Sequence, residues 1–221
     1  MNKIVDRRKA RHFLIDYGSV LLIGAVILFL LLWEAFHFVT RAVREEKLRF
    51  FLGVYDTSEI GLDRDLLMEF ADSGLREVEF HAYAPDSSRY STYFYSISAN
   101  CDFIVLKEKD LMLLDEDVGF YFRALNANLL ASLCPPEVDP DLYVYGENPF
   151  GIKIYDDRNP DYNRRLDFSS WLTFTKSGNE AYDDCFYLLI GEKSPYFVSD
   201  SDLGVQAGQY LIERFYREEK A

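Results

Sequence analysis

The sequence predicts one N-terminal transmembrane helix followed by a single α/β domain, in which helices cover a mixed β-sheet. Three observations support this prediction. Residues Tyr17 to Trp33 run seventeen positions without a charged side chain. After this run, short apolar segments typical of strands alternate with longer segments of helical spacing, and such alternation is typical of α/β folds. Finally, 49% of the 221 residues are hydrophobic, which is enough for a packed core and excludes general disorder.

The apolar run has the length expected of a membrane anchor. A spanning helix needs about 20 mostly apolar residues, and apolar residues resume after Glu34. Tyr17 and Trp33 stand at the two ends, where aromatic rings prefer the headgroup level. The run is longer than the ~7–15-residue apolar segment of a signal peptide, and no small-x-small cleavage site follows it. We therefore predict an uncleaved helix that contacts the lipid bilayer through residues 17–40.

Basic residues around this helix set the expected orientation. Five precede it and four follow it closely: Lys3, Arg7, Arg8, Lys9 and Arg11, then Arg41, Arg44, Lys47 and Arg49. Because Lys and Arg near a helix end favour the cytoplasmic side, the larger first group predicts a cytoplasmic tail over residues 1–16. A juxtamembrane linker over 41–47 and an extracytoplasmic domain over 48–221 follow. The predicted location is the cell membrane, single-pass, with the large domain outside.

The charge of the chain excludes one large class of partner. The formal net charge is −13, and the part after Arg44 carries seventeen Lys and Arg against thirty-four Asp and Glu. Nucleic-acid binding needs a basic face for the phosphate backbone, so no nucleic-acid partner is predicted. The same acidity favours solubility and repulsion from an anionic bilayer surface.

One acidic segment has the beginning of a calcium loop. Asp157, Asn159 and Asp161 follow the D-x-N-x-D spacing. However, Tyr162 stands where the loop needs Gly for its sharp turn, and Phe168 stands where it needs a bidentate Glu. We therefore predict a polar turn there and no metal site.

The element order is read from apolar periodicity and from turn residues. Strands are predicted at 48–55, 78–82, 103–106, 142–145, 150–155 and 185–190. A helix is predicted at 62–71, and Gly74, just after it, stops the helix. Mainly helical segments are predicted at 111–114 and 120–133, and a last helix at 203–216. A turn at 146–149 joins two of the strands, and residues 88–99 fit either a helix or a strand.

Three short segments carry a resemblance to a known family. They are Asn100 to Leu106 (NCDFIVL), Gly146 to Ile154 (GENPFGIKI) and Tyr187 to Ser194 (YLLIGEKS). In this order they resemble one lobe of the extracytoplasmic solute-binding proteins that serve sugar-type ABC importers. The resemblance implies a periplasmic-binding-protein-like lobe, and an ABC transporter as a membrane partner.

The chain departs from that family in one important respect. In the family a whole second lobe lies between the second and third of these segments, whereas here only about thirty residues, 156–184, intervene. A two-lobed protein closes around its ligand by a hinge. With one lobe the cleft has one wall, although small-molecule pockets normally bury ~70–90% of their ligand. Tight capture of a solute by this chain alone is therefore not expected.

Candidate chemistry is sparse. Tyr90, Tyr93 and Tyr95 belong to an aromatic cluster for which core packing is the expected role, because 16% of the chain is aromatic, and a sugar-stacking surface is the alternative interpretation. The three His residues are scattered, the acidic pairs are sequence neighbours of the kind usually found on solvated loops, and no Gly-x-Ser-x-Gly motif occurs. No catalytic residue, no cofactor and no metal is predicted. For the three cysteines, buried thiols and a Cys101–Cys185 disulfide both stay open.

The sequence therefore predicts a non-enzymatic, membrane-anchored protein. Its expected role is that of an accessory or interaction partner of a transporter or of an envelope assembly. The alternative is a tethered receptor for a small carbohydrate or peptide, which would use the tyrosine cluster.

Overall fold

The structure is a computed structural model, and it describes residues 7–40, 42–57, 62–136, 138–159, 172–173, 185–197 and 202–216. The chain divides into two compact units, residues 1–43 and 44–221. The first unit contains one helix, α1 (Arg7–Thr40). Within α1 the stretch Tyr17–Phe36 is long enough and apolar enough to cross a bilayer, and none of it is buried inside the protein.

The second unit is an α/β domain. Its strands are β1 (Lys47–Leu52), β2 (Asp56–Thr57), β3 (Glu77–Ala82), β4 (Phe103–Lys107), β5 (Leu142–Tyr145), β6 (Asn148–Asp156), β7 (Leu172–Thr173) and β8 (Cys185–Ile190). Its α-helices are α2 (Leu62–Glu69), α3 (Tyr90–Ile97), α4 (Glu108–Leu114), α5 (Val118–Tyr121), α6 (Ala127–Leu133) and α7 (Leu203–Phe215). Short 3₁₀ turns occupy Arg44–Glu46, Ser98–Asn100 and Asp115–Asp117.

Six of the strands form one mixed sheet, as the sequence predicts. Their order is β3-β1-β4-β8-β6-β5. Strands β3, β1 and β4 are parallel to one another, whereas β8, β6 and β5 continue the sheet with antiparallel pairs. Strands β2 and β7 form a separate antiparallel pair.

Helices cover both faces of the sheet because the central strands are apolar on both sides. In β1, Phe50 joins one core cluster and Phe51 joins the other, and Phe103 and Ile104 of β4 divide in the same way. The first face carries α2, α6 and α7. The second face carries α3, α4 and α5. Strands β4 and β8, whose apolar runs are continuous in the sequence, are buried over almost their whole length.

Local signals in the sequence explain several boundaries. Gly74 has φ +87°, and Gly146, in the β5–β6 turn, has φ +63°. Glycine adopts such values without the steric cost that a Cβ imposes. The segment that the sequence left ambiguous is helical at α3, where Tyr90 and Phe94 are four residues apart and both are buried.

The sheet topology decides between the two alternatives for the cysteines. Strands β4 and β8 are antiparallel, and Lys107 pairs with Phe186. Cys101 and Cys185 therefore lie at opposite ends of the pair, about 20 Å apart at ~3.3 Å per residue. A disulfide needs Cα atoms within roughly 7 Å. All three cysteines are free thiols.

A buried carboxylate ties three segments together at the amino end of β4. The side chain of Asp102 is fully buried and accepts hydrogen bonds from the Arg44 guanidinium at 2.6 and 3.0 Å. It also accepts from the Ser194 hydroxyl at 2.6 Å and from the Arg49 backbone N–H at 2.9 Å. Because every contact satisfies a polar atom within the domain, this cluster acts as a structural element.

Candidate functional site

A groove lies between α3 and α4 on the second face. Its walls and floor come from three elements: Tyr90, Phe94 and Tyr95 of α3, Asp110, Leu113 and Leu114 of α4, and Leu106 of β4. The cavity volume is about 70 Å³. Pockets that enclose a drug-sized molecule measure ~300–1,000 Å³, so this groove accommodates one side chain or a comparably small group.

Tyr90 lies deep in this groove. Its side chain is buried and its ring packs against Phe51, with the centroids 6.0 Å apart. The hydroxyl sits above Gly53, where an added Cβ would lie 2.5 Å from the phenolic oxygen. Burial and the neighbouring carboxylate of Asp110 raise the pKa of Tyr90, so the phenol stays protonated at neutral pH.

Tyr93 points away from the groove. Its ring stacks on Tyr83, with the centroids 4.2 Å apart and the planes within 11° of parallel. Tyr83 directly follows β3, and its backbone N–H donates to the Leu52 carbonyl at 2.9 Å. One face of the Tyr93 ring is therefore occupied by a neighbour from the same domain.

Tyr95 lies at the rim of the groove. Its side chain is 54% exposed, and its ring contacts Phe94 at 5.2 Å and Tyr121 at 6.0 Å between centroids. The structure thus brings two of the three predicted tyrosines, Tyr90 and Tyr95, to one groove. It places Tyr93 in a separate stack with Tyr83.

Exposed apolar side chains, which the sequence analysis did not predict, border the groove. Leu113 is 82% exposed and Phe120 is 60% exposed. Leu113 and Tyr95 line the same groove, and Tyr121 links Tyr95 to Phe120 through ring contacts at 6.0 and 5.0 Å. We name Tyr95, Leu113 and Phe120 the apolar patch.

A signal for this patch is present in the sequence. The run Leu111 to Leu114 holds four consecutive large apolar residues. A helix has only one face toward a sheet, so a helix that contains such a run must expose part of it. In the structure Leu111 and Leu114 are buried, whereas Met112 and Leu113 face solvent.

Carboxylates border the apolar patch. The exposed turn Asp115–Asp117, which contains Asp115, Glu116 and Asp117 and is named the acidic turn here, lies between α4 and α5. The Tyr145 hydroxyl donates to Asp115 at 3.1 Å. Residues 108–121 contain five acidic side chains and one basic one, Lys109. From elsewhere in the domain the ammonium of Lys193 lies 5.4 Å from the centre of the Phe120 ring.

A second polar cluster lies where β8 begins. The Arg158 guanidinium contacts the Cys185 thiol, and it forms ion pairs with Glu108 at 3.2 Å and with Asp156 at 3.3 Å. Burial and the carboxylate of Asp156 raise the pKa of Cys185 to about 12. A thiol with this pKa stays protonated at neutral pH.

The remaining cysteines are protonated thiols, and the described acidic residues form no metal-binding cluster. Burial raises the pKa of Cys101 to about 12 and that of Cys134 to about 11. Among the residues that the structure describes, no group of three or more His, Cys, Asp or Glu side chains is placed to hold a metal ion. The segment predicted as a polar turn, 157–161, is described only as far as Asn159.

Comparison of the chain with protein-family models, with curated proteins and with solved structures finds no match.

Proposed function

We propose that this chain is a non-enzymatic, membrane-anchored interaction protein, and that its α/β domain contacts another membrane protein through the apolar patch. The observation that supports this proposal is the exposure of Leu113, Phe120 and Tyr95 on helices of one face. Contiguous exposed apolar surface on a soluble domain typically marks an interaction site. Aromatic residues are also enriched at such interfaces.

The anchor is part of the proposal. The apolar stretch Tyr17–Phe36 supports anchoring, because it is long enough and apolar enough to span a bilayer and exceeds the ~7–15-residue apolar segment of a signal sequence. The basic tail before it supports an N-terminus in the cytoplasm. This orientation places the domain outside the cell, beside a transporter or within an envelope assembly, and an ABC transporter is the partner that the sequence resemblance implies.

The non-enzymatic part is supported by the state of the ionisable groups. The carboxylate of Asp102 is saturated by Arg44, Ser194 and a backbone N–H. Glu108 is paired with Arg158, and burial keeps the Cys185 thiol protonated. General acid–base and nucleophilic catalysis need groups that are poised to exchange a proton or to attack a substrate.

Topology is the first experiment. In intact cells a membrane-impermeant maleimide is applied to a Ser87→Cys variant, because Ser87 is exposed and the native Cys101 and Cys185 are buried. The unmodified chain is the control for labelling of the native thiols. We expect labelling without lysis. Protection until lysis places the domain in the cytoplasm and overturns the extracytoplasmic role.

The interaction role is tested by site-specific photo-crosslinking in native membranes. A photoreactive side chain replaces Leu113, and Met68 on the first face, 62% exposed, is the matched control position. We expect an adduct with a membrane protein from Leu113 and none from Met68, and we expect Phe120→Ser to abolish it. Equal adducts from both positions, or an adduct that Phe120→Ser leaves unchanged, contradict the proposal.

A tethered receptor is the second candidate, and the groove favours it. Tyr90 and Tyr95 line one cavity, and the exposed ring of Tyr95 at its rim offers a stacking surface for a sugar. The test is a thermal-shift screen of the full chain against sugars and short peptides. A stabilising ligand whose effect disappears in Tyr95→Ala, but persists in Tyr93→Ala and Tyr145→Ala, supports the receptor. A screen without such a ligand excludes it for the compounds tested.

A further inference from the structure

The second face offers both an apolar cavity and a set of carboxylates, and together they define the chemistry of its occupant. The cavity of about 70 Å³ is bounded by Tyr95 and Leu113 at the rim and by fully buried Leu106 below. This size suits one apolar side chain and is too small for a larger organic ligand. The site therefore needs a partner that inserts a single anchor and spreads further contacts over the surrounding surface.

The charges around the cavity determine which charge the partner must carry. The half-buried Asp110 lies in the groove wall, and the acidic turn of Asp115, Glu116 and Asp117 lies just beyond the end of α4. Residues 108–121 carry five acidic side chains and one basic one, and Lys193 lies at the Phe120 ring, so acidic groups outnumber basic ones around the patch. A surface with this balance raises the local concentration of cationic groups and speeds their encounter with the domain.

The same charges exclude two other occupants of an apolar surface. Anionic lipid headgroups are repelled by the acidic turn, so the patch is unsuited to lie on a bilayer surface. A second copy of this chain, with a net charge of −13, would bring the same carboxylates against one another. Like charges juxtaposed at an interface oppose binding.

Resting on the proposed function, we propose that the α3–α4 groove binds a cationic amphipathic helix of a partner protein. One apolar side chain of that helix enters the cavity between Tyr95 and Leu113. Further apolar side chains pack on Phe120, and Lys or Arg residues of the helix pair with the acidic turn. This is the helix-in-groove mode of recognition, in which anchors recur at helical spacing and flanking charges set the orientation.

The test uses the full chain in nanodiscs of zwitterionic lipid and three synthetic peptides. The first is an amphipathic helix of Leu and Lys, the second replaces every Lys with Glu, and the third has the composition of the first in an order without an apolar stripe. Binding is measured by fluorescence anisotropy at low and high salt. We expect binding of the first peptide only, and we expect it to weaken as salt screens the charges.

Two sets of variants locate the site. The triple variant D115N/E116Q/D117N removes the acidic turn, and D63N/E69Q/D72N removes three exposed acids on or just after α2, on the first face. Because three exposed ion pairs, each weak alone, are lost together, the first triple variant should raise the Kd of the first peptide by about 10-fold. The second triple variant should raise the same Kd by less than about 2-fold. Leu113→Ser should raise the Kd by about 10-fold, because truncating an anchor costs ~1–2 kcal/mol. Met68→Ser is its control.

The outcomes separate this inference from the proposed function. Equal effects of the two triple variants, or equal binding of the Lys and Glu peptides, overturn the inference even if Leu113 crosslinks to a membrane protein. Selective binding of the Leu and Lys peptide upholds the inference even if the crosslinking experiment finds no partner in native membranes.

Discussion

The two faces of the sheet differ in how completely their helices bury apolar side chains. On the first face, the last helix, α7, contributes five buried side chains to the core: Leu203, Val205, Ala207, Leu211 and Ile212. On the second face the helices are short, and α4 and α5 expose Leu113 and Phe120. A cluster of large exposed apolar side chains, unlike a single one such as Met68 on the first face, typically marks a contact surface. We infer that the first face supplies stability and that the second also supplies contacts.

The largest expected effect comes from removing a core ring. Phe103 is fully buried on the first face, and its ring lies 5.1 Å from Phe50 and 5.5 Å from Phe197. Phe103→Ala should lower the free energy of unfolding by about 4 kcal/mol. Phe120→Ala removes the same atoms from the exposed patch and should change the free energy of unfolding by less than about 0.5 kcal/mol. Urea unfolding of both variants measures the contrast, and similar losses would contradict the assignment of Phe120 to a contact surface.

The next largest effect is expected at the buried carboxylate. Asp102→Ala leaves the donors of Arg44 and Ser194 without their acceptor, and the loss should be about 3 kcal/mol. Glu116→Ala removes an exposed carboxylate from the acidic turn and should have almost no effect on stability. Unfolding of the two variants under one condition provides the check, and a stable Asp102→Ala variant would show that the cluster is dispensable.

A smaller effect is expected from crowding beneath the groove. A Cβ at Gly53 would lie 2.5 Å from the Tyr90 hydroxyl oxygen and 2.9 Å from the Val105 carbonyl, so Gly53→Ala should destabilise by about 2 kcal/mol. At Gly119 the nearest atom, on Phe150, would be 3.9 Å away, and Gly119→Ala should be neutral or slightly stabilising. Adding Tyr90→Phe to Gly53→Ala should recover part of the loss in a double-mutant cycle.

The smallest effect is a pH dependence from a buried thiol. Burial and the carboxylate of Asp102 raise the pKa of Cys101 to about 12, whereas an unfolded thiol titrates near ~8.5. Above that lower value the unfolded chain releases a proton that the folded chain retains, so stability falls as pH rises. Between about pH 7.5 and 9.5 this contribution amounts to about 1 kcal/mol.

Comparison of the unmodified chain with Cys101→Ala isolates the contribution of the Cys101 thiol to the pH dependence of stability. Unfolding at both pH values should show a shallower decrease in stability in the variant. An identical decrease in the two chains would mean that the Cys101 thiol is accessible to solvent in the folded protein.

Much of the fold follows from local patterns. The continuous apolar runs of β4 and β8 predict strands buried on both faces, and Gly146 marks the turn between β5 and β6. What could not be predicted depends on contacts between distant segments. Tyr93 does not line the groove, and its ring stacks on Tyr83, which follows a different element. The separation of Cys101 from Cys185 required the antiparallel pairing of their strands to be known.

The candidate site was only partly predictable. The tyrosines of α3 are visible as a cluster, yet periodicity does not state which of them share a groove with α4. The exposure of Leu113 was hidden because the sequence does not show which two residues of the run Leu111 to Leu114 face the sheet. Burial of Leu111 and Leu114 decides this, and it depends on how α4 packs.

The outer strands of the sheet affect how two copies of this domain would meet. Strand β3 holds Glu77 and Glu79 in ion pairs with Lys47, and β5 is four residues long, with a register shift between Tyr143 and Val144. Charged, short or irregular edges resist pairing with another sheet. For a chain anchored as we propose, lateral crowding would therefore not lead to edge-to-edge aggregation, and high surface density would be tolerated.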